Sequence, residues 1–149
     1  MKINARDWLF EVSTDPTAGT PVWAEVGGVT SFTLSNSEGE ESTDTTTFGS
    51  NGNAESQAMQ RGASVALEGF VERSALGVPD AGQAACDALA GEVGEASLGG
   101  LRFRHTDDED WTVWTAWASK GDNGGGNNDK TSWGATFTRS GAATTAVVV

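Results

Sequence analysis

The chain has 149 residues, 37% of them apolar, with six Trp, six Phe and no Tyr, enough to bury one core as a single domain over residues 1–149. A formal charge of −12 and an isoelectric point near 4.2 exclude the usual routes to nucleic-acid phosphates and anionic membranes, which need clustered Lys and Arg. The single Cys86 permits neither an intrachain disulfide nor a thiolate metal cluster, and its expected place is the core.

The N-terminal residues enter an alternating strand pattern without an apolar leader, and no apolar run approaches the ~20 residues that span a bilayer, so a soluble protein made in a cytoplasm is expected. Trp8, Phe10 and Val12 alternate with polar residues. Asp15-Pro16 and Ala18-Gly19 supply a turn, and Val22, Ala24 and Val26 continue the alternation, predicting an N-terminal hairpin. Phe32 and Leu34 alternate with Ser31, Thr33 and Ser35 in a third strand, and Val65, Leu67, Gly69 and Val71 alternate with Ala66, Glu68, Phe70 and Glu72 in another. Between these two strands lies the most distinctive segment of the chain.

Residues 36–60 contain five carboxylates, Glu38, Glu40, Glu41, Asp44 and Glu55, and no Lys or Arg. Too polar for a core yet flanked by strands, the segment must leave the domain and return, and excursions of this length are usually functional or disordered. Thr45 to Phe48 has strand character and Asn51-Gly52 favours a type I′ turn, so part of the arm is predicted to project as a hairpin.

After the arm, Pro79-Asp80 provides a helix start, with Gln83 three residues on as in a capping box. Gly82, Cys86, Leu89 and Val93 share a face of a helix predicted over residues 80–93, with Gly91 and Gly94 at its end. Three more strands follow, carrying Leu101, Phe103 and His105, then Trp111, Val113, Thr115 and Trp117, then Trp133, Ala135, Phe137 and Arg139. The pattern predicts a mainly β fold, an antiparallel sandwich or partial barrel with one flanking helix and a long extended arm.

Several groups invite a chemical role. Asp107 to Asp110 are four consecutive carboxylates, but Ca²⁺ loops place ligands at alternate positions around a Gly, so a solvated turn is the simpler reading. The Gly-rich segment at residues 121–129 is one imperfect copy of a calcium-roll repeat and reads as a flexible loop. His105 is the only histidine and shares a face with Leu101 and Phe103, which fits a half-buried structural residue better than a general base. Glu68 and Glu72 would lie about 13 Å apart on an extended strand, from ~3.3 Å per residue, too far for glycoside hydrolysis. Trp111 and Trp117 fall on one face of their strand and Trp114 on the other; both faces are largely apolar, predicting burial in the core or in a subunit interface. No enzymatic activity and no cofactor are expected.

The order of segments is itself informative. The run from Trp23 through GGVTSF, the arm with TTTFGSNGN, the strand SVALEGFVER, the helix DAGQAACDALAGEVG and the closing DKTSWGATFTRSG resemble the tail tube (major tail) protein of long-tailed bacteriophages over almost the whole chain. The resemblance implies a β-sandwich subunit without the extra C-terminal immunoglobulin-like domain some members carry. It further implies a virion protein assembled in the host bacterial cytoplasm as stacked, hexameric rings around a channel for double-stranded DNA. Its partners would be copies of itself and tape-measure, tail-initiator and tail-terminator proteins, with DNA only in transit and no membrane. A tube of a contractile tail or of an injection machine is the alternative within this resemblance, since the sequence does not show whether a sheath surrounds it.

Under that resemblance the arm would contact a neighbouring subunit through Glu38, Glu40, Glu41, Asp44, Phe48, Asn51, Gly52, Glu55 and Met59, ordering on contact with Phe48 and Met59 as anchors. A channel wall of carboxylates and hydroxyls would repel phosphates, and Ser31, Thr33, Ser35, Glu68 and Glu72 are the expected lumen face. The closing strand and the tail at residues 142–149, rich in small residues and Val, are expected to pair with a neighbour. The alternatives are a carbohydrate-binding β-sandwich, which expects surface tryptophans on a monomer, and a small hydrolase, which expects a pocket at His105.

Overall fold

The computed structural model describes residues 1–15 and 19–148. Ten strands and one α-helix follow in order: β1 (Trp8–Ser13), β2 (Ala24–Glu25), β3 (Val29–Ser35), β4 (Glu41–Asp44), β5 (Ser56–Gln60), β6 (Ser64–Phe70), α1 (Ala81–Ala90), β7 (Leu98–His105), β8 (Asp110–Lys120), β9 (Ser132–Arg139) and β10 (Thr144–Val147). Seven of them form one antiparallel path, β2-β1-β7-β8-β9-β6-β3, with β10 added to β8, while β4 and β5 pair only with each other.

The N-terminal hairpin forms as expected, with Val12 opposite Ala24. Pro16 and Ala18 of the proposed turn lie outside the described residues. The main sheet curls until its two ends meet: Phe32 of β3 packs on Trp8 and Phe10 of β1 with ring centroids 5.5 and 5.2 Å apart. Inside the curl, Val12, Val65, Leu67, Leu101, Trp114, Trp133 and Phe137 form one core. The alternation in each strand has placed its apolar set inward, which fixes register because a one-residue slip would turn every core side chain to solvent.

Helix α1 closes one end of this curl and is shorter than predicted. Asp80 is its N-cap, its Oδ2 accepting from Gln83 N at 3.1 Å. The reciprocal half of a capping box is absent, because the Asp80 N–H is taken by the Glu72 carbonyl. Gln83 turns inward instead: its Nε2 donates to Gly27 O at 2.9 Å and Phe70 O at 2.8 Å, and its Oε1 accepts from Glu72 N at 3.1 Å. Asp80 Oδ2 also accepts from Gly27 N at 3.0 Å. Two side chains thus knot the helix start to the loop before β3 and the end of β6. Gly82 allows the close packing, since a Cβ there would fall on the Glu25 backbone. Cys86 and Leu89 are buried, but the helix ends at Ala90, so Val93 is exposed rather than part of its apolar face.

Strand β8 is not covered on both faces. Trp114, Ala116 and Ala118 face the core, whereas Thr115 and Ser119 are exposed and Trp117 is 43% exposed. Trp111 is buried on that outer face for a local reason: the Arg102 guanidinium lies between its ring and that of Trp23, at 4.4 and 4.6 Å, while Arg102 Nη2 pairs with Glu11 at 2.7 Å. The closing strand β9 is bonded on both edges, to β6 and β8, leaving none for a neighbour. From Ser140 the chain steps along the same edge of β8, past Gly141 with φ +82°, to pair as β10 with residues 110–113. The tail is therefore a strand of its own subunit, and among the described residues its other edge is unpaired; Val149 lies outside them.

Candidate functional site

The arm is a defined hairpin. Strands β4 and β5 pair from Glu41↔Gln60 to Asp44↔Ser56, with a register shift after Glu41. Near its root Arg61 pairs with Glu40 at 3.1 Å and Gln60 Nε2 donates to Gly39 O at 2.6 Å. The strand expected at Thr45 to Phe48 is replaced by a compact tip, because short hydroxyl side chains there bond back to the backbone. Thr47 N donates to Ser50 Oγ at 3.1 Å, Ser50 Oγ donates to Glu55 Oε2 at 2.9 Å, and Glu55 N donates to Thr46 Oγ1 at 2.9 Å. Asn51 and Gly52 both have positive φ, 52° and 82°, as an Asn-Gly turn requires, although they follow a 3₁₀ turn at Phe48–Ser50 rather than joining two strands directly.

Asp44 accepts from Thr46 N at 2.8 Å, and hydrogen bonds from Thr46 hold its carboxyl below the ordinary Asp value. Phe48 is fully exposed at the tip and Met59 is 67% exposed on β5. Glu38, Glu40, Glu41, Asp44, Phe48, Asn51, Gly52, Glu55 and Met59 are thus brought together on one projection. Strands β4 and β5 make their main contacts with each other, not with the body.

The expected lumen face is only partly one surface. Ser31 lies opposite Glu68, Thr33 opposite Ala66 and Ser35 opposite Ser64, and across β6 these continue to Gly134, Thr136 and Thr138 of β9. This outer sheet face is lined by hydroxyls with Glu68 among them; Ser31 Oγ donates to Glu68 Oε2 at 3.5 Å. Glu72 does not share it. It stands beyond the end of β6, where the chain turns toward α1 and its N–H meets Gln83.

Glu72 instead borders a groove of about 840 Å³ that the sequence does not announce. One wall is α1, with Gln83, Ala84 and Asp87; a second is the segment after β6, with Val71, Arg73 and Pro79; the third is made by Lys120 at the end of β8, Lys130 in the β8–β9 connection and Trp133 in β9. Trp133 Nε1 donates to Asp87 Oδ1 at 3.4 Å, and Lys120 Nζ is 3.7 Å from Asp87 Oδ2. The residues assembling it are far apart in sequence, so no local motif marks it.

The other sequence candidates are structural. His105 is 3% exposed, its Nδ1 accepting from Asp107 N at 3.1 Å while its Nε2 is buried without a partner, so it is deeper than expected and closed to substrate. Asp108 ties the acidic turn by accepting from His105 N at 3.0 Å. The Gly-rich segment is pinned rather than loose: Gly121 N donates to Gly134 O at 2.8 Å, Ser132 N to Gly124 O at 2.8 Å and Gly126 N to Asp129 Oδ2 at 2.8 Å. Among the described residues, no three His, Cys, Asp or Glu converge as metal ligands, and no helix is long and apolar enough to cross a membrane.

No protein-family model and no curated protein matches this sequence. Among solved structures, a chain from the virion of a native gene transfer agent particle matches with a TM-score of 0.71 at 15% identity, over 98% of this chain and 100% of that one. A chain from the tail of an empty gene transfer agent particle, of C6 symmetry, matches with a TM-score of 0.72 at 17% identity and the same coverage. The chain has the fold of these particle chains. The mainly β, antiparallel architecture with one flanking helix expected from the sequence is present and is shared with these chains over 98% of this chain.

Proposed function

We propose that this chain is a structural, non-enzymatic subunit of a phage-like virion tail. Copies associate into rings of six that stack head to tail as the tail tube, in which double-stranded DNA passes without adhering. The observation that carries this reading is the correspondence of whole chains: the fold is shared over 98% of this chain and 100% of a chain from the tail of a gene transfer agent particle. The projecting arm and its exposed Phe48 suit a protein that completes its structure on contact with another copy. The hydroxyl face bearing Ser31, Thr33, Ser35 and Glu68 is the proposed channel wall, where a carboxylate repels phosphate and no lysine retains it. Assembly takes place in the host bacterial cytoplasm, with tape-measure, initiator and terminator proteins as partners that set where a tube begins and ends.

Negative-stain electron microscopy of the purified protein at rising concentration, paired with light scattering, tests this reading. Hollow tubes or stacked rings are the expected result. A protein that remains monomeric at every concentration, alone and with a tail-initiator complex, overturns it.

A further inference from the structure

The arm and the groove lie at opposite ends of the same strands. The arm leaves at Ser35 and returns at Ser64, which are paired across β3 and β6. The groove begins at Val71, just past Phe70, which pairs with Ser132 at the other end of β6. Six residue steps at about 3.3 Å separate the two ends by roughly 20 Å. Their chemistry is complementary as well as their position. The chain carries nine Lys and Arg against 21 Asp and Glu, yet Arg73, Lys120 and Lys130 converge on this one groove, with Glu72 and Asp87 as its carboxylates. Its lining is apolar at Val71, Pro79, Ala84 and Trp133, and Leu76 and Val78 stand exposed on the adjoining turn. The arm offers the converse, an exposed phenyl ring at the tip with Asp44 and Glu41 on the strand behind it.

We propose that the groove between α1, the segment after β6 and the β8–β9 connection is the receptor for the arm tip of a second copy, with Phe48 seated against Val71, Ala84 and Trp133 and the arm carboxylates facing Lys120 and Lys130. This rests on the tail-tube reading and gives it a specific contact. A donor at one end and an acceptor at the other make a heterologous interface, which, between one ring and the next, repeats as an open stack. The charge pattern also sets polarity: an acidic tip meets this mixed, lysine-bearing groove and is repelled by acidic surface elsewhere on a neighbour.

The test places thiols on both partners in the full chain. Cys86→Ser removes the native thiol, Ala54→Cys marks the arm tip beside Glu55, and Ala88→Cys marks α1 one helical turn beyond Ala84, outside the residues that line the groove; both alanines are exposed. A short bis-maleimide is added under assembly conditions, and the products are read on a denaturing gel beside micrographs of the same sample. A ladder of covalent multimers together with tubes is the expected result, lost with Phe48→Ala and absent when Thr106→Cys replaces Ala88→Cys. Reversing Lys120 and Lys130 to Glu should remove the ladder, and reversing Glu41 and Asp44 to Lys in the same chain should restore it. Restoration also shows that the single-side variants were folded. Tubes without a ladder overturn the groove assignment and leave the tube reading intact. A cross-link confined to the monomer overturns it too, since the arm would then fill its own groove. A ladder without tubes supports the arm–groove contact and sinks the tube, and neither product overturns both.

Discussion

Gln83 is the residue on which the packing of α1 turns. Buried to 4% exposure, it satisfies two carbonyls and one amide of segments that share no ladder. Gln83→Ala would strand those three groups, and because each buried unsatisfied group costs about 1–3 kcal/mol, a loss of about 2–4 kcal/mol is expected in denaturant unfolding. Gly82→Ala should be destabilising by about 1–3 kcal/mol, because the added methyl meets the Glu25 backbone rather than a side chain able to move aside. Cys86 has the opposite character, a thiol with nothing to do but fill space. Burial, reinforced by Asp87 and Asp80, pushes its pKa far up, so native protein should resist iodoacetamide at pH 8 and become alkylated only on unfolding.

At the scale of elements, the arm and the body are separable. Because β4 and β5 pair with each other and their tip is held by its own hydroxyl and carboxylate groups, the hairpin adds little to the core. Replacing residues 40–60 with a short Gly-Ser turn should therefore leave the melting transition of the body within a few degrees of the parent while abolishing assembly in micrographs. The tip itself should loosen in acid. Asp44 has a depressed pKa, so its contribution is complete above the unfolded value and disappears as pH falls through the folded one; amide exchange at Thr46 reports it. Strand β10 differs, because it covers the edge of β8 beside buried Trp111. Removing it should both destabilise the body and leave residues 110–113 of β8 unpaired on that edge.

For the whole molecule, charge and topology act together. A chain of net charge −12 repels its own copies at low ionic strength, so association should strengthen as salt rises until the arm–groove ion pairs are screened in turn. If the hydroxyl face lines the channel, Glu68→Lys should leave tube formation unchanged while slowing DNA passage, measured as ejection from assembled particles. Normal ejection from that variant would remove Glu68 from the wall. The distance between arm and groove is a property of the curled sheet as a unit, since both ends of β6 must be fixed before either feature has a place.

Much of this was legible in the sequence because strand alternation is a local, period-two signal. Trp8, Phe10 and Val12, or Val65 and Leu67, must face one way whatever they pack against, and Asp80 is a capping residue wherever a helix follows it. The acidic run at residues 36–60 likewise had to leave the core because no core can solvate five carboxylates. What the tertiary structure decided are the places where distant segments compete for the same groups. It ended α1 at Ala90, drew Gln83 away from a capping box toward three backbone partners, kept β10 on β8, and moved Glu72 off the face of Glu68. It also gathered Arg73, Lys120 and Lys130, which lie on three separate segments, around one groove. Such convergence depends on how the sheet curls and which edges remain free, and those follow from long-range packing that no local pattern encodes.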